Sequence, residues 1–317
     1  MTPARRRLPF SRATTTKVAL LSARVYARLP TEQANPRTRN IDAKSSSQIV
    51  RLMIDEDRLV PAAVARVARE LAKGVDALAK TLASGGSVLL LGAGTSGRLA
   101  VLEAAECPST FNTAPRRVRA VIAGGRRSVF RAREGAEDEP ALGRNAAGSV
   151  REGDTVIGVA ASGVTPFVSA ALAEAKKRGA ATILVTSNGR PKGRAADIVI
   201  APLVGPEVVT GSTRLKSGTA AKLVLNTLTT GAMIKIGKVY DHWMVDLKPT
   251  SRKLRLRGER IVADLGRVKA ERARSLLRAS GGSVKTAAVM ARRGLTAAAA
   301  RKALAGAGGA LRRVLGK

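Results

Sequence analysis

A chain of 317 residues, 45% apolar and with mean hydropathy near zero, can bury one large α/β core and a small satellite, so a globular enzyme or binder is the default. No run nears the ~18 consecutive apolar residues of a spanning helix, one cysteine excludes an intrachain disulfide, and a lone His242 leaves little for a metal site. The net charge of +33 raises nucleic acid as a partner, but Lys and Arg are spread along the whole chain and aromatics for base stacking are only 2% of residues, which argues against it. A cytoplasmic protein with no membrane contact and no metal is expected.

Residues 1–30 carry seven basic and no acidic residues. The Arg triplet followed by VALLSARVYA has the outline of an export signal, yet Arg24 interrupts an already short apolar run. The expectation is a disordered basic arm, or a start placed too far upstream. From Val60 the positions Val64, Val67, Leu71, Val75, Leu78 and Leu82 step by three or four, which predicts one amphipathic helix ended by Gly85-Gly86.

Five short β-branched or Leu-rich runs follow, at 87–94, 117–125, 154–163, 181–189 and 197–205. Helical patterns separate several of them: TSGRLAVLEAAE, TPFVSAALAEAKKRG and the long TRLKSGTAAKLVLNTLTTGAMIKIGKVY. The alternation predicts a doubly wound, five-stranded parallel sheet with helices on both faces, and ligands outside the carboxyl ends of the strands. Beyond Lys248-Pro249 the composition turns to Ala, Arg, Leu and Gly. Helices at 254–268, 270–278, 283–293 and 296–315 are expected there, as a small all-helical domain over 249–317 behind a 31–248 catalytic domain.

The loop GAGTSG lacks the last Gly and the acidic partner of a dinucleotide fingerprint, and it is no P-loop. What remains is Gly94, Thr95 and Ser96 at a helix N-terminus, where free N–H groups and the helix dipole favour an anion; an ordinary hydroxyl cap is the alternative. Ser162, Gly163 and Thr165 end the third strand in the same way. A third loop, Thr210 to Thr219, brings Ser212 and Thr213 and adds Arg214 and Lys216, with Lys216 expected to face the site. Three such loops on one sheet edge suit a phosphorylated, polyhydroxylated molecule.

Longer strings carry a resemblance: TEQANPRTRNID at 31–42, IDEDRLVPAAV at 54–64, LGAGTSGRLAVLEAAECPSTF at 91–111, EGAEDE at 134–139, AASGVTPFV at 160–168, GPEVVTGSTRLKSGTAAKLVLNTLTTGAMIKIGKVY at 205–240 and MVDLKPTSRKL at 244–254. The chain resembles the N-acetylmuramic acid 6-phosphate etherases, whose core is the SIS (sugar isomerase) domain. The resemblance implies a cytoplasmic lyase without cofactor, working as a homodimer. It would release D-lactate and N-acetylglucosamine 6-phosphate from N-acetylmuramic acid 6-phosphate. The family's two glutamates fall on Glu106, as proton donor, and Glu137, as base.

Spacing alone leaves Glu106 as a solvated helix-end residue and Glu137 as part of an acidic surface turn. Val164 stands where the family commonly has Arg, so phosphate affinity is reduced unless Arg98 compensates. A continuous helix from Thr95 would carry Glu106 roughly 16 Å from its start. Either that helix ends early at Cys107-Pro108, or Glu106 serves a neighbouring subunit. Cys107 as a nucleophile, and His242 as a sugar-binding residue, are weaker readings. A noncatalytic sugar-phosphate regulator or a sugar-phosphate isomerase on the same fold is the alternative function.

Overall fold

The computed structural model describes residues 27–189 and 196–316. The basic arm expected over 1–30 lies outside the described residues up to position 26. Leu29 is already buried, and the Gln33 side chain donates to the Ala27 carbonyl at 2.7 Å. Helix α1 (Ser46–Asp57) starts in a capping box, with Ser45 and Gln48 each satisfying the other's backbone N–H. The amphipathic helix predicted from Val60 is two helices, α2 (Leu59–Ala65) and α3 (Ala68–Ala83), joined at Arg66-Val67. The periodicity survives the joint, because both pieces pack one apolar stripe inward.

Five strands form the sheet: β1 (Val88–Gly92), β2 (Val118–Ile122), β3 (Thr155–Val159), β4 (Ala181–Val185) and β5 (Ile198–Ile200). All neighbours pair in parallel, in the order β2-β1-β3-β4-β5. Strands covered on both faces read as continuous apolar runs, as Val88, Leu89, Leu90 and Leu91 do. Alternate residues then serve opposite faces. Leu90, Ile157 and Ile183 pack under α3, α4 (Gly94–Phe111) and α7 (Lys216–Lys235). Leu89, Leu91 and Leu184 pack against α6 (Pro166–Lys177), beside the short α5 (Pro140–Ala146).

A second core gathers α8 (Arg252–Gly266), α9 (Ala270–Ala279), α10 (Val284–Arg293), α11 (Ala297–Gly306) and α12 (Leu311–Leu315). The last predicted helix is thus divided, where Gly308 and Gly309 take positive φ. Tyr240, Trp243, Val245 and Leu247 join this core from upstream of Lys248. Asp246 clamps it, accepting from Lys238 at 3.0 Å and Lys285 at 2.9 Å. Burial pushes the Lys285 ammonium pKa down and Asp246 offsets part of that; a further bond to the Gly309 carbonyl, at 2.7 Å, anchors the turn between α11 and α12.

Candidate active site

The order β2-β1-β3 makes the gap between the carboxyl ends of β1 and β3 the topological switch point, and a cavity of about 250 Å³ opens there. The glycines of GAGTSG build its floor. Gly94 takes φ +51 to turn the chain into α4. At Gly97 a Cβ would come within 2.6 Å of the Gly92 carbonyl oxygen, so only glycine lets the first turn of α4 lie against β1. No side chain caps this N-terminus, and none at the N-cap caps α6, which starts at Thr165-Pro166 on the other side of the cavity. Both helices therefore present free N–H groups and the positive ends of their dipoles.

Helix α7 differs. Glu207, fully buried, places Oε2 2.9 Å from the Lys216 N–H and Oε1 2.9 Å from the Ser217 N–H. The anion position at this helix is filled by the protein's own carboxylate. Lys216, expected in the site, is placed elsewhere: its side chain is 0% exposed and its Nζ lies 2.6 Å from Glu56. A buried ammonium needs a counter-charge, and Glu56 provides it while also accepting from Asn35 at 2.9 Å and pairing with Arg37 at 2.7 Å. Burial alone would raise the Glu56 pKa. The bonds from Lys216 and Asn35, with the charges of Lys216 and Arg37, hold it below the usual carboxylate range.

Of the sequence-predicted residues, Gly94, Thr95, Ser96, Ser162, Thr165, Thr213 and Glu137 line the cavity. Gly163 and Ser212 lie in the same loops without lining it. Gly163 takes φ +71 to shape its turn, and the Ser212 N–H bonds the Val209 carbonyl at 2.9 Å. Sequence reasoning missed Glu32, Asp138 and Gly211 as lining residues. Glu32 stood inside a quoted string, and its acidity was the available signal. The Thr31 carbonyl accepts from Gly211 N–H at 3.1 Å, which draws the chain's first segment onto the loop before α7.

Glu137 sits on a single 3₁₀ turn, Ala136–Asp138, pinned by the buried Ala136. Partial burial, then the charges of Asp138 and Glu134, push its pKa up. Behind it a smaller cavity of about 150 Å³ shares Ala93, Gly94 and Glu137 with the first and adds Arg98 and Arg133. Glu137 stands between the two. Arg98 is thereby placed outside the first cavity's lining, and Val164 is not part of it either.

Helix α4 does not stop at Cys107-Pro108; it runs unbroken through Pro108 to Phe111. Glu106 is exposed on it and lines neither cavity. With ~1.5 Å of rise per residue it lies roughly 18 Å from Gly94. Half-buried Glu103, one turn earlier, accepts from Thr229, and burial raises its pKa. Cys107 is buried beside both carboxylates; burial first, then their charges, push its thiol pKa up to about 12, which leaves no thiolate for nucleophilic work. His242 is exposed and pairs with Asp241 at 2.9 Å, next to Trp243.

Parallel order, two uncapped helix N-termini at the switch point and hydroxyl-lined loops define an α/β domain of the SIS, or sugar isomerase, class. The family model for the N-terminal SIS domain of glucokinase regulatory protein matches residues 70–176. Among solved structures, phosphoheptose isomerase of Neisseria gonorrhoeae is similar with a TM-score of 0.43 and 17% identity, over 57% of this chain and 98% of that one. The sugar isomerase domain of an RpiR transcription factor from Sphaerobacter thermophilus gives 0.41 and 19%, over 59% and 94%. Sequence relatives are nearer. An N-acetylmuramic acid 6-phosphate etherase of Brucella anthropi is 46% identical over 95% of this chain and 98% of its own length. Those of Salmonella typhi and Oceanobacillus iheyensis are 47% and 45% identical, over 90% and 83% of this chain and 98% and 90% of theirs. The chain belongs to the N-acetylmuramic acid 6-phosphate etherase family, a family of carbon–oxygen lyases.

The placement of Lys216 has a stability consequence. Removing one member of a buried ion pair costs about 3–5 kcal/mol when the other is stranded. Glu56 keeps Arg37 and Asn35, so Lys216→Met should lower denaturant-unfolding stability by about 3 kcal/mol, the low end of that range. The double variant Glu56→Gln/Lys216→Met should lose less than the sum of the single losses. Because the folded pKa of Glu56 is depressed, its contribution is present above the unfolded pKa and is lost as pH falls through the folded one.

Proposed function

We propose that this chain cleaves the D-lactyl ether of N-acetylmuramic acid 6-phosphate with water, giving N-acetylglucosamine 6-phosphate and D-lactate, in the cytoplasmic recycling of cell-wall amino sugars. The observation that carries the reading is the position of Glu137 at the rim of a cavity floored by two uncapped helix N-termini. The 6-phosphate takes the N–H groups at the starts of α4 and α6. Hydroxyls of Thr95, Ser96, Ser162, Thr165 and Thr213 meet the sugar oxygens.

The chemistry follows from the open-chain sugar, whose C2 hydrogen is α to an aldehyde. Glu137 removes that proton, the C2 electron pair forms the C2–C3 double bond, and the C3–O bond to the lactyl group breaks. An acid protonates the departing lactyl oxygen. Water then adds to C3 of the unsaturated aldehyde, and C2 regains a proton. A carboxylate base is more effective as its pKa approaches the working pH, and partial burial with two acidic neighbours moves Glu137 in that direction.

Glu106 is the acid in this reading. Its distance along α4 from the cavity of its own chain supports a homodimer in which Glu106 of the partner subunit completes each site. The match to a glucokinase regulatory protein domain favours a second reading, a noncatalytic sugar-phosphate regulator. Purified protein incubated with N-acetylmuramic acid 6-phosphate should release D-lactate. Tight sugar-phosphate binding without release would establish the regulator instead.

Chains carrying Glu106→Ala and Glu137→Ala are each expected to be inactive alone. Co-expressed, they should recover about a quarter of wild-type activity, since random pairing puts half the chains in mixed dimers with one whole site of two. No recovery would place both groups in one chain. Only deprotonated Glu137 can act as base, so kcat/KM should fall as pH drops through a pKa above the ordinary glutamate value of ~4.3. Replacing Asp138 and Glu134 with Asn and Gln removes like charge and should move that acid limb to lower pH.

A further inference from the structure

The substrate of the proposed reaction carries two anions, the phosphate and the lactyl carboxylate, and the two joined cavities differ in the charge they offer. The larger is lined by hydroxyls, backbone and the carboxylates of Glu32, Glu137 and Asp138, with no ammonium or guanidinium among the described residues. In the smaller, Arg98 and Arg133 stand with the carboxylates of Glu134 and Glu137. Arg98 is fixed in place: its Nε donates to the Val129 carbonyl at 2.8 Å and its Nη2 to the Ser128 carbonyl at 3.0 Å. Those bonds hold the guanidinium through neutral carbonyl oxygens.

Neither arginine takes part in an ion pair among the described residues. The stem of Arg133 crosses Gly124, where a side chain would come within 3.0 Å of its Cδ and 2.4 Å of the Ser128 Oγ. That hydroxyl is itself buried and without a hydrogen-bond partner among the described residues. The glycine thus gives Arg133 its course over the loop, and the carboxylates of Glu134 and Glu137 share the cavity without an ion pair to either arginine among the described residues. Arg98, half-buried, and Arg133, exposed, both line a space of about 150 Å³, smaller than the first cavity.

Resting on the etherase reading, we propose that this smaller cavity is the subsite for the lactyl carboxylate, with Arg98 and Arg133 as its specificity-determining residues. Glu137, shared by both cavities, then stands where C2 and C3 of the sugar cross from one to the other. The phosphate lies on one side and the leaving group on the other. An arginine fork matches a carboxylate with two parallel hydrogen bonds, a geometry that a carboxamide cannot return because its nitrogen is a donor.

The test compares N-acetylmuramic acid 6-phosphate with its carboxamide analogue, in which lactamide replaces lactate at C3. Wild-type protein should prefer the carboxylate in kcat/KM by roughly tenfold to a hundredfold, the worth of a charge-assisted bond pair. Arg133→Gln and Arg98→Lys should each lose most of that preference, with kcat/KM for the carboxamide changed less than about threefold. Arg98 also braces the 128–129 turn. Arg133 makes no such bond, so Arg133→Gln decides the matter if the Arg98 variant is unstable. Equal losses on both substrates, or no preference in the wild type, would overturn the subsite while leaving the etherase reading intact. If wild-type protein releases neither lactate nor lactamide, the etherase reading fails and the subsite fails with it.

Discussion

Parallel strands send every chain crossing to the same edge, and each helix that follows a strand begins there with backbone N–H groups that have no partner in the helix. Three helices of this protein, α4, α6 and α7, start at that edge. An unpaired N–H cluster must be satisfied by something, and the three ends are treated differently. Glu207 closes α7 with both carboxylate oxygens, whereas α4 and α6 stay open on either side of one cavity. The site is thus defined by which helix ends the protein leaves unfilled.

The same division governs the cations. Lys216 is the first residue of α7, close to the site in sequence, but its ammonium is turned inward to Glu56, whose carboxylate also takes Asn35 and Arg37. That cluster ties the 31–38 segment and α1 to the start of α7, so the Lys acts as a brace for the loop carrying Gly211 and Thr213. Keeping ammonium and guanidinium groups out of the larger cavity has a chemical effect as well. A cation paired with Glu137 would lower its pKa, and the arginines that share the smaller cavity with it, Arg98 and Arg133, make no ion pair with it among the described residues. Partial burial raises the Glu137 pKa, and the carboxylates of Asp138 and Glu134 push it the same way.

The sheet was legible because buried parallel strands have no polar alternation to confuse with a helix: all five predicted runs contain the observed strands. Cavity residues on the loops after β1 and β3 were legible for a related reason, since a Gly or Pro beside hydroxyls marks a helix start. Side-chain direction was less so. Nothing in RLKSGT distinguishes a lysine facing a ligand from one facing a carboxylate 160 residues earlier in the chain. Glu207 was invisible as a cap because it lies nine residues before the N–H it serves, outside any capping-box spacing. Glu32 and Asp138 were hidden by their company, sitting in polar strings where an exposed carboxylate is the ordinary case. The joint at Arg66-Val67 left no trace because a helix break of two residues preserves the apolar stripe on both sides.

Helix α4 acts as a ruler. Its first turn is locked to β1 by the contact between Gly97 and Gly92, and its far end is locked to α7, where Glu103 accepts from Thr229. Pro108 does not shorten it, because the carbonyl that loses its partner lies on the last turns, after Glu103 is already engaged. A rod fixed at both ends cannot bring Thr95 and Glu106 to the same point. The family string LGAGTSGRLAVLEAAECPSTF therefore specifies two places rather than one: an anion cradle at its start and, about three helical turns away, an exposed carboxylate. One copy of α4 cannot join them, which is the helix geometry behind the proposal of a partner subunit.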